Sequence, residues 1–242
     1  MKISLITISY KNPKELELTI KSVKKNYRNY VEYIVVLGSK DEESINVIKR
    51  YQSIITKKII EPDRGIYDAL NKGIKNSTGN IICFVHSGDT INKNYFDIIS
   101  RNIKKYDYIY GGLNFVTKNN SRIKFYPKEI NKTKNNLFNL SILHPGLIVK
   151  KKVFKVLGSF NNRFILSDKL WILKLVKSRF VGKKIPNILV NFRMNGLSSS
   201  YSLLSEYYIK LKKFKIKFYK ILFILIKIFI VINYYKFIYY VK

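Results

Sequence analysis

Three short runs of apolar, largely β-branched residues constrain this chain more than any other feature: ISLITIS at 3–9, YIVVL at 33–37 and IICFV at 81–85. An unbroken apolar run of this length suits a strand covered on both faces, since a solvated face would bring in alternating polar residues. Between the runs the period becomes helical. Leu16, Ile20 and Val23 share one stripe over 14–25, further helices are expected at 45–51 and 66–77, and another strand at 54–60. Strand and helix alternate with short loops, which predicts an α/β fold with a largely parallel sheet and helices on both faces. Beyond residue 100 the reading is sparser, with short strands at 108–110, 123–126 and 147–149 and a helix at 167–177.

The bulk numbers narrow the class. A chain of 242 residues can bury the core of one large α/β domain, and 47% hydrophobic with 14% aromatic residues exclude general disorder. Cys83 is the lone cysteine, so no internal disulfide or cysteine zinc site is possible and a reducing compartment fits best. The opening MKISLITISY has one lysine, few apolar residues and no small-residue cleavage site, and reads as a first strand rather than an export signal. The net charge of +31 predicts attraction to phosphate-rich surfaces. From Leu203 onward nine lysines and one glutamate give +8, leaving +23 in the first 202 residues, so the basicity is spread along the chain.

Ligands of parallel α/β sheets lie at the carboxyl ends of the strands, so the loops there are the place to look for chemistry. Gly38-Ser39 follows the second strand, Glu61-Pro-Asp-Arg-Gly65 the third, and His86-Ser-Gly-Asp89 the fourth. Asp168 falls in the first turn of the helix at 167–177, where the helix dipole favours an acid. Asp68 and Asn71 share a helical face, and Arg64 suits a phosphate or an ion pair. Structural readings stand beside each: a strand-to-turn exit for 86–89, a helix-terminal acid for Asp168, a capping and packing network for Asp63 to Asn71, and a structural role for His144.

The block EPDRGIYDALNKGIKNSTGNIICFVHSGD at 61–89 resembles the family 2 glycosyltransferases with a GT-A fold, in the branch that builds surface polysaccharides. ISLITISYKN, YDYIYGG, ILHPGLIVKK, FILSDKLWILKL and NFRMNGLSS follow in the same order, so the likeness spans roughly residues 1 to 200. The resemblance implies a GT-A, Rossmann-like three-layer sandwich over 1–202 that transfers a hexosyl or N-acetylhexosaminyl group, with inversion, from a nucleotide diphosphate sugar to a glycan hydroxyl. It implies Asp168 as the base. It implies a donor-dependent Mg²⁺ or Mn²⁺ at Asp89, with His86 as a nitrogen ligand, and donor contacts at Ser9, Tyr10, Gly38, Asp63, Arg64, Gly65, Asp68, Asn71, Ser87, Gly88, His144 and, in a late loop with Ser198 and Ser199, Arg193. Two positions depart from the family pattern. Only one carboxylate remains in the acidic motif after the fourth strand, and Leu37 stands where an aspartate normally meets the base.

Residues 203–242 form a separate segment. On a helix, Leu211, Phe214, Phe218, Ile221, Leu222, Leu225, Phe229 and Ile232 fall on one arc, with Lys212, Lys213, Lys215, Lys217, Lys220 and Lys227 on the other side. Such a basic amphipathic helix lies in an anionic membrane surface. Packing on the catalytic domain is the alternative, and the apolar stretch from Ile221 to Ile232 is shorter than the roughly 20 residues a span needs. The expected setting is cytoplasmic, peripheral on the inner face of the plasma membrane, beside a lipid-linked acceptor, with a homodimer left open. A degenerate transferase that binds without turnover is one competing reading. A nucleic-acid-binding protein is another, but no such motif occurs and the 61–89 block would go unexplained, so no nucleic-acid partner is expected.

Overall fold

Strand residues of odd and even number point to opposite faces of a sheet, and here that alternation sorts the core in two. The computed structural model describes residues 1–117, 119–132, 140–163 and 166–193, together with 225, 226, 229 and 233. By contact density the chain forms two units: Met1–Asn114, Lys124–Asn162 and Leu166–Phe192 in the first, and Phe115–Ile123, Arg163–Ile165 and Arg193–Lys242 in the second.

Along the chain run β1 (Ile3–Ser9), α1 (Pro13–Asn26), β2 (Val31–Leu37), α2 (Glu42–Arg50), β3 (Lys57–Ile60), α3 (Ile66–Asn76), β4 (Ile81–Phe84), β5 (Thr90–Ile91), α4 (Tyr95–Asn102), β6 (Tyr108–Val116) and β7 (Arg122–Phe125). A 3₁₀ turn (His144–Gly146), β8 (Leu147–Lys150), α5 (Lys151–Leu157), α6 (Ser167–Lys177) and β9 (Gly182–Arg193) follow. The sheet order is β3-β2-β1-β4-β8-β6-β9-β5, with β7 paired to β6. From β3 to β4 the pairings are parallel, Ile3 through Ser9 registering against Val31 through Leu37. Beyond β4 the sheet turns antiparallel at β4–β8, β8–β6 and β9–β5, so the expected parallel character holds for the first half only.

Leu5, Val35 and Cys83 pack with Leu16 and Ile20 of α1, Val47 of α2 and Tyr95 of α4. On the other face Ile6, Val36 and Phe84 pack with Tyr67 and Leu70 of α3, Phe154 of α5 and Trp171 and Leu175 of α6. This is the three-layer arrangement, and it places α3 and α6 on the same side of the sheet.

In the second unit, the Thr117 and Asn120 amides close a tight turn onto the Ser121 and Thr117 carbonyls. Leu225, Ile226, Phe229 and Asn233 are helical, the Asn233 amide donating to the Phe229 carbonyl at 2.8 Å. The rest of the 203–242 segment lies outside the described residues. Among the described residues no helix is long and apolar enough to cross a membrane.

Candidate active site

The ends of β1 to β4 are stitched together by backbone bonds. The Gly38 amide donates to the Ser9 carbonyl (2.9 Å), Glu61 to Leu37 (3.1 Å) and Ser87 to Ile8 (3.1 Å), so the loops expected to share one crevice do adjoin. Ser9 is buried, its hydroxyl oxygen without a hydrogen-bond partner among the described residues, whereas Tyr10 is 61% exposed. Leu37 is fully buried in the α1-side core and cannot reach a ligand. An acid nevertheless arrives beside it: a Cβ on Gly38 would sit 1.8 Å from Asp63 Oδ2, so the absence of a side chain there lets the Asp63 carboxylate lie against the backbone after β2. Its other oxygen accepts from the Gly65 amide at 2.9 Å.

The loop after β4 is held from α1. The Thr19 hydroxyl donates to the Asp89 carbonyl (2.7 Å), lies 3.1 Å from the His86 carbonyl and accepts from the Gly88 amide (3.0 Å). Gly88 adopts φ +98, a left-handed conformation that favours glycine. Asp89 is 3% exposed.

Asp168 opens α6 and meets α3 across their shared side of the sheet, its Oδ1 accepting from the Tyr67 hydroxyl at 2.8 Å. Tyr67 lies three residues beyond Arg64, and His86, three residues before Asp89, is near enough to interact electrostatically with Asp168. The base candidate therefore sits between the two loops that carry the other candidates. Burial pushes the Asp168 carboxyl above its usual range, opposed by the Tyr67 hydroxyl, the Lys169 amide and the positive charge of neighbouring groups.

Behind Asp168, the His86 ring stacks on His144 with centroids 5.4 Å apart, and His144 is enclosed by Phe84 (4.5 Å) and Phe160 (5.4 Å). Burial drives both imidazoles down to about 3, with mutual repulsion adding to the effect at His86, so both are neutral near pH 7. His86 Nδ1, Ser87 Oγ and His144 Nε2 are buried without a hydrogen-bond partner among the described residues, which is how a site prepared for a polar ligand is built.

Other candidates have structural work. Asn71 donates to the Phe160 carbonyl (2.8 Å) and Asn162 (2.9 Å) and accepts from the Phe160 amide (3.0 Å), tying α3 to the segment that leads into α6. Asp68 accepts from the Arg64 amide at 3.0 Å and pairs with Lys72 at 3.3 Å; burial works against these contacts, but they hold its carboxyl below the usual range. Arg64 and Gly65 are exposed. Arg193 belongs to the second unit, and Ser198 and Ser199 lie outside the described residues. Residue type and spacing give no signal for Thr19, whereas Tyr67 lies inside the GIYDA stretch at 65–69.

A divalent cation fits here only as one shared with its ligand. Asp89 offers a hard oxygen donor, but the described residues contain no group of three or more His, Cys, Asp or Glu side chains that could hold a metal.

A sequence model of Glycosyl transferase family 2 matches residues 4–157, more than half of the chain. The chain belongs to glycosyltransferase family 2. Among relatives, an uncharacterized glycosyltransferase of Mycobacterium tuberculosis is 35% identical over 88 residues, covering 36% of this chain and 34% of the relative. The GT-A fold of the family is that of Staphylococcus aureus TarS 1-349, with a TM-score of 0.65 at 18% identity over 86% of this chain and 64% of that one. TarS was also crystallised with UDP-GlcNAc, where the TM-score is 0.66 at 17% identity. The mannosyltransferase PcManGT of Pyrobaculum calidifontis, solved with GDP-Man and Mn²⁺, gives 0.62 at 14% identity over 87% of this chain and 64% of that one. This chain thus spans about a third of the curated relative and under two thirds of the solved ones.

Proposed function

We propose that the protein transfers a hexosyl or N-acetylhexosaminyl group, with inversion, from a nucleoside diphosphate sugar to a hydroxyl of a lipid-linked glycan in surface-polysaccharide synthesis. The observation that carries this reading is the half-buried Asp168 carboxylate, held by the Tyr67 hydroxyl at the carboxyl edge of the parallel strands beside two neutral histidines with open ring nitrogens. One base is what a single displacement requires: Asp168 takes the proton of the acceptor hydroxyl as its oxygen attacks the anomeric carbon, and the diphosphate departs from the opposite face. Ser9, Tyr10, Gly38 and Asp63 line the nucleoside end, Arg64 faces phosphate, and His86, Ser87 and His144 meet sugar or acceptor hydroxyls. A divalent cation, when bound, supplies charge neutralisation to the leaving diphosphate, and Asp89 together with the donor's own oxygens would hold it. The basic segment 203–242 lays the enzyme on an anionic cytoplasmic membrane surface, near its acceptor.

The test is a panel of UDP- and GDP-sugars with Mn²⁺ or Mg²⁺. Transfer from one donor is expected, and Asp168→Asn should reduce it by about 10²-fold or more while leaving binding of the free nucleoside diphosphate intact. Undiminished turnover in that variant removes the base assignment. A second reading, donor binding without turnover, is favoured by Leu37 facing the core and by the lone carboxylate of the 86–89 loop; it predicts nucleotide binding with no transfer from any donor.

A further inference from the structure

The Tyr67 hydroxyl reaches across from α3 to α6 and ends on the carboxylate proposed as the base. A buried tyrosine normally finds a partner for its hydroxyl, but the choice of partner here is open to function, since any backbone carbonyl would satisfy it. The ring is 9% exposed and packs on Phe160, centroids 5.9 Å apart, so the phenol is fixed before any ligand arrives. Gly65, at φ +105, begins α3 without a side-chain cap, and the helix starts so that its second residue faces α6.

We infer that Tyr67 is the positioning residue of the reaction: its hydroxyl holds Oδ1 of Asp168, fixing the carboxylate so that the other oxygen meets the acceptor hydroxyl. This rests on the reading of Asp168 as base. Tyr67 has a second effect, because a hydroxyl that donates to the ionised form opposes the upward push of burial on the Asp168 carboxyl. Among the described residues, few groups face Asp168. Tyr67 approaches from α3, His86 from the loop after β4 with His144 of the 3₁₀ turn behind it, and Lys169 adjoins on α6 itself. Both histidines shed their protons near pH 3, so they do not titrate in the working range.

Tyr67→Phe in the full chain keeps the ring on Phe160 and removes only the hydroxyl. With the donor that the panel identifies, kcat should fall about tenfold while the donor KM stays within about twofold. The acid limb of kcat should move up by about one pH unit, since the neutral acid gains relative to the carboxylate. A ¹³C titration of the Asp168 carboxyl should move in the same direction without any donor present. Phe160→Leu serves as the control, loosening the same ring contact while keeping the hydroxyl: it should lower Tm and move the acid limb by less than Tyr67→Phe does. Matching kcat and acid limbs in Tyr67→Phe and the parent, or an unmoved Asp168 titration, would overturn the inference. Failure of the base reading looks different, because transfer then survives Asp168→Asn.

Discussion

At the scale of single residues, the site depends on groups that touch no ligand. Thr19 bonds backbone atoms of residues 86, 88 and 89 through one hydroxyl. Valine there has nearly the same shape but no hydroxyl, and it would remove the 2.7 Å donor to the Asp89 carbonyl and leave the Gly88 amide to its longer 3.2 Å bond with the Glu15 carbonyl. Thr19→Val is therefore expected to cost about 1–3 kcal/mol of stability. It should also weaken the dependence of transfer on Mn²⁺ concentration through a displaced Asp89, raising the apparent cation constant more than it changes the donor KM; an unaltered cation curve would mean that Asp89 is held from elsewhere. Asp168, His86 and Asp89 stand out as candidates in the sequence because a carboxylate or imidazole directly after an apolar strand, or at a helix start, is conspicuous by residue type. Thr19 was not legible, since a threonine in mid-helix carries no signal until its partners 67 to 70 positions away are known.

At the scale of elements, β1, α1, β2, α3, β4 and α6 could be read from period alone, α6 to its bounds of Ser167–Lys177. The misses have physical causes. Gly111-Gly112 looks like the end of a strand at 110, yet β6 continues through both because the chain needs no side chain there: a Cβ would lie 2.8 Å from the Asn187 carbonyl at one and 2.7 Å from the Phe125 carbonyl at the other. β9 was hidden by Lys183, Lys184 and Pro186, which break its alternation. The eight residues of α4 offer too few turns for a period to emerge. What the sequence could not express at all is how α3 and α6 are held in register, which falls to Asn71 and its bonds to 160 and 162. Asn71→Ala should leave the Phe160 amide and carbonyl unbonded, costing roughly 1–3 kcal/mol. It should lower kcat by loosening the Tyr67–Asp168 bond, and a stability loss with unchanged kcat would confine Asn71 to packing.

At the scale of the whole molecule, two buried devices at opposite ends of the sheet set how stability responds to acid. At the amino end Glu32, 3% exposed, accepts from Ser4 (2.5 Å), from the Thr78 hydroxyl (2.6 Å) and amide (2.7 Å) and from the Gly79 amide (3.3 Å). Burial opposes ionisation, but these donors outweigh it and hold the carboxyl down at about 2. Its stabilisation is complete above its ordinary 4.5 and is lost as pH falls toward 2. At the carboxyl end His86 and His144 are lowered from 6.5 to about 3, so the unfolded chain binds protons that the folded one refuses and stability declines from about pH 6.5 downward. The histidines therefore act first. Between pH 7 and 5 the folded state should lose about 2 kcal/mol for each histidine, before Glu32 contributes. His144→Phe replaces the imidazole with an apolar ring between Phe84 and Phe160, removing one proton-binding group from the unfolded chain. Its melting temperature should fall less than the parent's over the same interval, and the gap should keep widening until about pH 3, where the folded imidazole of the parent takes up its proton. Parallel curves from pH 7 to 5 would mean that His144 takes up its proton without unfolding.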